Sequence, residues 1–145
     1  MADHPILIST VLDAVDARAL AEFWRRLLRY RYRAGDEPPP PGEPDPQGSD
    51  WLVLEDPGGG HRLAVQPVAE VAPSTWPDPV VPQQLHLDLG VSTVEELAAQ
   101  HERALALGAR LLRDRSDDPD EQLYVYADPA GHPFCIFVTA GLPAG

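Results

Sequence analysis

The sequence carries the same order of predicted elements twice, and this duplication limits the possible folds more than any other feature. An apolar, β-branched segment at residues 6–15 predicts a strand, and residues 17–28 have the i, i+3, i+4, i+7 apolar spacing of an amphipathic helix. The same order returns with a strand at 85–91 and a helix at 94–107. The chain is therefore predicted to contain two similar modules.

Landmark residues support the duplication. At an offset of 77 residues, Ser9 aligns with His86 at the same point of the two first strands. At an offset of 72, the Asp-Pro turn at 56–57 aligns with the Asp-Pro turn at 128–129. Loop lengths explain the two offsets, since residues 37–48 hold six prolines and predict an exposed, stiff loop.

The remaining segments complete a βαβββ order in each half. A proline-containing segment at 70–83 is the predicted linker between module 1, at about residues 5–69, and module 2, at about 84–140. At 145 residues the chain has the length of one domain, so residues 1–145 are predicted to form a single α+β domain. The further strands are predicted at 30–33, 51–55, 61–68, 110–113, 122–127 and 133–139.

The charge balance narrows the classes of partner. A formal net charge of −12 gives an acidic surface that repels phosphate backbones and anionic lipid, so neither nucleic acid nor membrane is an expected partner. All 11 basic residues are arginine, which excludes Schiff-base catalysis through a lysine. The start of the sequence lacks the basic residues and long apolar run of a signal peptide. We therefore expect a cytoplasmic location.

Four segments follow one another along the chain: ARALAEFW, LEDPGGGHRLAVQPV, LHLDLGV and YADPAGHPFCIFV. In this order they resemble the glyoxalase-like proteins of the glyoxalase/bleomycin-resistance/dioxygenase group, the vicinal oxygen chelate (VOC) superfamily. The resemblance spans nearly the whole chain and implies one glyoxalase-like domain. In such a domain, two βαβββ modules form a curved, eight-stranded mixed sheet, or cup, with the helices outside. Arg29 departs from the pattern, because such proteins usually end this helix with a glycine.

The resemblance also implies four equivalent places at which metal-using members bind their ion, two in each module. The first-strand places fall on Ser9 and His86. The last-strand places fall on Cys135 and near Gln66, with Ala64 as the alternative register.

These places offer a poor ligand set for a hard divalent ion. His86 is the only standard ligand among them, whereas Gln66 is a weak neutral donor and Cys135 a soft one. Asp88 lies two residues after His86 and shares its strand face, where it could ligate an ion or orient the imidazole. We therefore expect no standard metal site. The cofactor stays undetermined, either none or, as the alternative, a divalent metal.

One face of the strand at 85–91 predicts a ligand-contacting site. Alternation directs the leucines of this strand toward the helices and His86 and Asp88 toward the cup, where His86 is the candidate catalytic residue. A histidine that only bonds its neighbours is an equal alternative. Cys135 is interpreted as a buried, unreactive thiol, and His101 as a solvated helix residue. The predicted ligand-binding set is Ser9, Trp51, Gln66, His86, Asp88, Tyr126 and Cys135, in which Trp51 and Tyr126 border the cleft.

Three classes of function follow from these residues. The first is a binding module that holds a small, partly aromatic molecule in the cup. The second is an enzyme centred on His86, either a divalent-metal lyase, isomerase or dioxygenase that also uses Gln66 or Asp88, or a metal-free acid/base catalyst. The third is an accessory domain that only contacts a partner protein. A homodimer is expected in addition, because the proteins that the chain resembles often dimerise.

Overall fold

The computed structural model describes residues 3–142, and the chain divides into two compact units, residues 1–71 and residues 72–145. Each unit contains one long helix and four strands in a βαβββ order, which confirms the predicted α+β class with two modules. Hydrogen bonds among the described residues join the strands into two open, mixed sheets of four. The strand orders, β1-β4-β3-β2 and β5-β8-β7-β6, are the same in the two units.

Unit 1 begins with strand β1 and helix α1, and its core lies where the helix covers one sheet face. The elements are β1 (Ser9–Ala14), α1 (Ala17–Leu28), β2 (Arg31–Tyr32), a short 3-10 helix (Gln47–Ser49), β3 (Leu52–Glu55) and β4 (Arg62–Pro67). Strands β1 and β4 are parallel, whereas β3 pairs antiparallel with both β2 and β4. Leu20, Trp24 and Leu52 are fully buried in this core.

Helix α1 begins and ends at residues with clear local roles. The Asp16 carboxylate caps its first turn by accepting from the Ala19 backbone N–H at 3.0 Å. The last turn ends at Arg29, which adopts the left-handed conformation with φ of 57°. Helix α2 of the other unit ends at Gly108, also in the left-handed region with φ of 115°. Arginine thus holds a position that favours glycine.

The proline-rich loop of unit 1 is anchored by an arginine of α1. The Arg18 guanidinium donates to both oxygens of the Asp45 carboxylate, at 2.8 and 3.0 Å, and to the Asp36 carbonyl at 2.6 Å. The same guanidinium lies 5.0 Å above the ring of Tyr32. The loop is therefore irregular, as predicted, but fixed to the body of its unit.

Unit 2 repeats the arrangement. Its elements are β5 (Leu87–Val91), α2 (Val94–Leu107), β6 (Arg110–Arg115), β7 (Leu123–Ala127) and β8 (Pro133–Val138). Strands β5 and β8 are parallel, and β7 pairs antiparallel with β6 and β8. The predicted linker groups with this unit from Ala72 onward and has no regular structure up to β5.

The sheet of unit 2 has two different faces. Helix α2 covers the face that carries Tyr126, Phe134 and Ile136, all buried. The opposite face carries a small cluster of Leu123, Val125 and Cys135 and is not covered by a helix of its unit. Over residues 3–142, no helix is long and apolar enough to cross a membrane.

Candidate functional site

A cleft of about 240 Å³ lies on the uncovered sheet face of unit 2. Strands β5, β6, β7 and β8 supply most of its wall, and the segment before β5 and the turn between β6 and β7 supply the rest. The lining residues are Trp76, Pro77, His86, Asp88, Arg113, Arg115, Glu121, Leu123, Val125, Cys135 and Phe137. The cleft thus combines apolar and aromatic walls with several charged groups, the composition typical of small-molecule sites.

Strand register explains why these side chains share one face. Asp88 is the ladder partner of Cys135, Cys135 of Val125, and Val125 of Arg113. Ladder partners in adjacent strands direct their side chains to the same side of a sheet. One row of side chains therefore runs across all four strands of the sheet, from a carboxylate at one edge to a guanidinium at the other.

The His86 ring is fixed on three sides. Its Nε2 lies 3.2 Å from Oδ1 of Asp88, and its Nδ1 lies 3.1 Å from Oε1 of Gln83. The indole of Trp76 stacks on the imidazole, with ring centroids 5.1 Å apart and planes 13° apart. Two polar partners and one aromatic neighbour hold the ring in a single orientation.

Cys135 lies at the floor of the cleft and is 6% exposed. Burial, together with the negative charges of Asp88 and Glu121, raises the pKa of its thiol to about 11. The thiol is consequently protonated at neutral pH. The predicted burial of Cys135 is confirmed.

Two arginines of β6 line the cleft, and they differ in their partners. Arg115 is paired with the Asp118 carboxylate in the turn that follows the strand. Arg113 has no ion-pair or hydrogen-bond partner within residues 3–142. A guanidinium without a partner at the edge of a cleft is suited to bind a carboxylate or phosphate in two-point geometry.

The structure brings three of the sequence-predicted site residues together. A ring nitrogen of His86, a carboxylate oxygen of Asp88 and the sulfur of Cys135 all lie within 4.8 Å of one another. Ser9 and Gln66 lie in unit 1, at the start of β1 and near the end of β4. Of the two candidates on β4, Ala64 is buried and Gln66 exposed.

Trp51 lies in unit 1, directly before β3, and is partly buried. Its backbone carbonyl accepts from Nε2 of Gln47 at 3.0 Å.

Tyr126 does not border the cleft of unit 2, contrary to the prediction. It is 0% exposed on the helix side of the sheet, where its ring stacks on Phe134 at 5.0 Å. Its hydroxyl is 2.8 Å from Nδ1 of His101. The reason is alternation, because Val125 faces the cleft and its neighbour Tyr126 must face the other way.

His101 also differs from the prediction, since it is partly buried and in contact with two tyrosines. Its ring stacks on Tyr124, with centroids 3.9 Å apart, and it contacts the Tyr126 hydroxyl.

Sequence reasoning missed the wall residues Trp76, Arg113 and Glu121. Arg113 could have been found, because the alternation of β6 and its ladder partner Val125 place it on the cleft face. Trp76 has no comparable signal, because it lies in an irregular segment whose path depends on tertiary contacts.

The resemblance implies a divalent ion, and the chemistry of the side chains at the family places decides which ion fits. Of the four family places, His86 and Cys135 lie in unit 2, whereas Ser9 and Gln66 lie in unit 1 and are weak neutral donors. The cluster of His86, Asp88 and Cys135 offers nitrogen, oxygen and sulfur. This set fits a borderline-soft ion such as Zn²⁺, and it is a poor set for Mg²⁺ or Mn²⁺.

Sequence comparison assigns the chain to a family. The profile of the glyoxalase-like domain matches residues 9–137. The chain therefore belongs to the glyoxalase-like domain family, within the VOC superfamily. None of the curated proteins shows a significant sequence match to it.

Solved structures of this superfamily share the fold. A glyoxalase-related enzyme from Fulvimarina pelagi is 22% identical, with a TM-score of 0.65 and coverage of 97% of this chain and 92% of that one. The fosfomycin resistance protein FosX from Mesorhizobium loti is 11% identical, with a TM-score of 0.65 and coverage of 97% and 95%. Lactoylglutathione lyase from Agrobacterium tumefaciens is 18% identical, with a TM-score of 0.58 and coverage of 94% and 96%. At these identities, the likeness establishes the fold alone.

Proposed function

We propose that this protein binds a small, partly aromatic molecule in the cleft of unit 2. The observation that carries the proposal is the cleft itself, which lies on the sheet face that α2 leaves uncovered. Its volume of about 240 Å³ is below the range of roughly 300–1,000 Å³ that is typical of drug-sized ligands. The occupant is thus a small molecule, or the end of a larger one.

The apolar walls of the cleft contact the aromatic part of the ligand. Trp76 and Phe137 line the cleft and are only partly buried, so each keeps ring surface for a ligand. Leu123 and Val125 give the floor an apolar patch between them. Stacking on such rings adds about 0.5–1.5 kcal/mol beyond the area that is buried.

The charged groups define the polar part of the ligand. Among the described residues, Arg113 is the wall arginine without a hydrogen-bond or ion-pair partner, whereas Arg115 is paired with Asp118. A ligand with a carboxylate or a phosphate could form a two-point contact with Arg113 while its ring lies against Trp76. We therefore expect aromatic acids to bind more tightly than their uncharged analogues.

Thermal shifts and native mass spectra across a panel of small aromatic acids and the matching amides test this proposal. A ligand at about 100 times its Kd adds about 2.7 kcal/mol to the free energy of unfolding, which raises Tm by roughly 5–10 °C for a chain of this size. Arg113→Ala should abolish the preference for the acid, and Arg110→Ala, an exposed arginine of the same strand outside the cleft, should not. A panel that produces neither a shift nor a bound species would refute the proposal.

A second candidate is acid/base catalysis on a molecule in the same cleft. The supporting observation is the fixed His86 ring, which has Asp88 at Nε2 and Gln83 at Nδ1. A carboxylate that orients an imidazole is the usual support of a histidine base.

Proton exchange tests the catalytic candidate without knowledge of the reaction. Panel ligands that bind are incubated with the protein in D₂O, and their C–H signals are followed by NMR. Catalysis would be supported if a C–H signal disappears with the wild-type protein but not with a variant that lacks His86. The same signal should still disappear with His61→Gln, which changes a histidine of unit 1. Exchange no faster than in buffer would leave binding as the only function of the cleft.

A further inference from the structure

We infer that the ligand of the cleft is a zwitterion, an aromatic acid with a protonated amine at its other end, and that Glu121 accepts a hydrogen bond from this amine. The acid group contacts Arg113, as in the proposed function. Since it names the class of ligand for the same cleft, this inference rests on that function. It adds a second charged contact, which an aromatic acid alone would leave unused.

Two opposite charges in the wall of the cleft both lack a partner. The Arg113 guanidinium and the Glu121 carboxylate line the cleft, and neither forms an ion pair or a side-chain hydrogen bond within residues 3–142. Glu121 is bonded through its backbone N–H, which donates to Asp118 at 3.3 Å. A molecule with one charge of each sign can satisfy both side chains, whereas a simple acid can satisfy only Arg113.

The strand register sets the distance between these two charges. Arg113 is the ladder partner of Val125, and Glu121 precedes Val125 by four residues, so both side chains lie on the cleft face. At about 3.3 Å per residue, the two backbone positions are roughly 13 Å apart along the sheet. The two long side chains span part of this distance. The rest fits a ligand whose charges lie at opposite ends of a ring and not on one carbon, as in an α-amino acid.

The surroundings of Glu121 favour a cation. Asp88 adds a second carboxylate to the same cleft, with a side chain that is 57% exposed. Burial and the negative charges of Asp88 and Glu121 raise the pKa of the Cys135 thiol, so the two charges act on the floor of the cleft. The rings of Trp76 and Phe137 line the cleft as well, and aromatic faces attract ammonium groups. Charge and rings together therefore stabilise an amine there.

Glu121, and not Asp88, is the carboxylate that is open to the amine. Oδ1 of Asp88 already lies 3.2 Å from Nε2 of His86. Arg115 does not compete for Glu121, because it is paired with Asp118. Among residues 3–142, an incoming amine thus meets in Glu121 a wall carboxylate without a partner.

Two ligands that differ in charge at one end test the inference. The para-aminomethyl derivative of benzoate carries the amine, and the para-hydroxymethyl derivative replaces it with a neutral hydroxyl. We expect titration calorimetry at neutral pH and low salt to show about 5- to 10-fold tighter binding of the amine, because a solvent-screened ion pair and a contact with a ring each add a few-fold. High salt should reduce this preference, because it screens the ion pair.

Neighbouring acidic residues give a matched pair of variants. Glu121→Gln should abolish the preference for the amine and leave the affinity for the hydroxymethyl ligand unchanged. Asp120→Asn removes the same charge from the preceding residue, which is exposed and does not line the cleft, and should keep the preference. Far-ultraviolet circular dichroism checks that each variant is folded.

Two outcomes would overturn the inference. One is a wild-type protein that binds the two ligands equally well. The other is a preference for the amine that is unchanged in Glu121→Gln. In both cases the aromatic acids still bind, so the proposed function stands. If none of the acids binds, the proposed function is refuted, and the inference with it.

Discussion

At the scale of single residues, Arg29 shows how one side chain can conflict with the backbone that it must adopt. The residue ends α1 in the left-handed region, with φ of 57°, where a side chain clashes with its own carbonyl. Gly108 ends α2 in the same region without that cost. Arg29 departs from the family pattern, and the backbone at this residue is therefore locally strained.

Arg29→Gly is expected to stabilise the protein. Relief of the left-handed conformation should add about 1 kcal/mol to the free energy of unfolding. Gly108→Ala is the matched opposite change and should lower that free energy by a similar amount. Chemical denaturation of both variants measures the two effects. A destabilised Arg29→Gly would show that the arginine makes a contribution beyond its backbone.

Cys135 predicts a loss of stability in alkaline solution. The pKa of the thiol is raised from 9.0 to about 11 in the folded protein. Between these values the unfolded chain loses the thiol proton and the folded chain keeps it, so the free energy of unfolding falls as pH rises. The loss amounts to about 2–3 kcal/mol, as an order of magnitude.

Comparison with Cys135→Ala isolates this effect from the tyrosines, which titrate in the same range. Urea denaturation with chelator present, at pH 8.5 and again near pH 11, should show a smaller alkaline loss in the variant. Parallel pH profiles of the two proteins would contradict the assigned cause.

At the scale of the elements, the contact between α2 and β7 shows what a buried tyrosine does in this fold. The Tyr126 hydroxyl and His101 Nδ1 join strand to helix at 2.8 Å, and the Tyr124 ring stacks on the same histidine. Burial raises the pKa of Tyr126 well above its ordinary value, so the hydroxyl keeps its proton. The group acts in the fold of unit 2 and not in the cleft.

Tyr126→Phe should cost stability but not ligand binding. Loss of the hydrogen bond to His101 should lower the free energy of unfolding by about 1 kcal/mol. Tyr124→Phe is the control, because no hydrogen bond of its hydroxyl is present in residues 3–142. Thermal melts with and without a bound panel ligand separate the two effects. A weaker ligand affinity in Tyr126→Phe would show that Tyr126 contributes to ligand binding.

Sequence periodicity predicted the elements well. Both helices were predicted to the residue, at 17–28 and 94–107, because their caps and apolar stripes are local features. The strands also agree to within a few residues. Periodicity shows which residues share a face, and this was sufficient to group His86 with Asp88.

Two parts of the site needed the structure. Tyr126 was assigned to the cleft as an aromatic residue on the strand before an Asp-Pro turn, although alternation allows only one of Val125 and Tyr126 to face it. Trp76 covers His86 from a segment without periodicity, and nothing local in the sequence indicates its direction. Long-range contacts decide both positions, so one sequence could not reveal them.

At the scale of the whole molecule, the duplication has left two units with the same topology and different chemistry. Ser9 of unit 1 stands at the place of His86, and the ladder pair Val11 and Ala64 corresponds to the pair Asp88 and Cys135, so Ala64 and not Gln66 is the equivalent of Cys135. The described cluster of His86, Asp88 and Cys135 lies in unit 2. Duplicated folds can thus keep one architecture while a single copy retains the reactive groups.

The homodimer stays a prediction at this scale. Ile6, Leu7 and Ile8 are 72%, 79% and 64% exposed, and such an apolar run is costly in water unless a partner covers it. Light scattering should give about twice the chain mass of 15.8 kDa, and Leu7→Glu should reduce it. Val80→Glu, at an equally exposed site of unit 2, is the control. A monomer at all concentrations would contradict the prediction.

Ligand binding in the cleft of unit 2 can be followed through the indole N–H signals of the three tryptophans in ¹H–¹⁵N NMR spectra. Trp76 lines the cleft, whereas Trp24 is buried in the core of unit 1. When a panel ligand is titrated to saturation, binding in the cleft of unit 2 should move the Trp76 signal and leave the Trp24 signal in place. A ligand that saturates the protein while the Trp76 signal stays in place would contradict it.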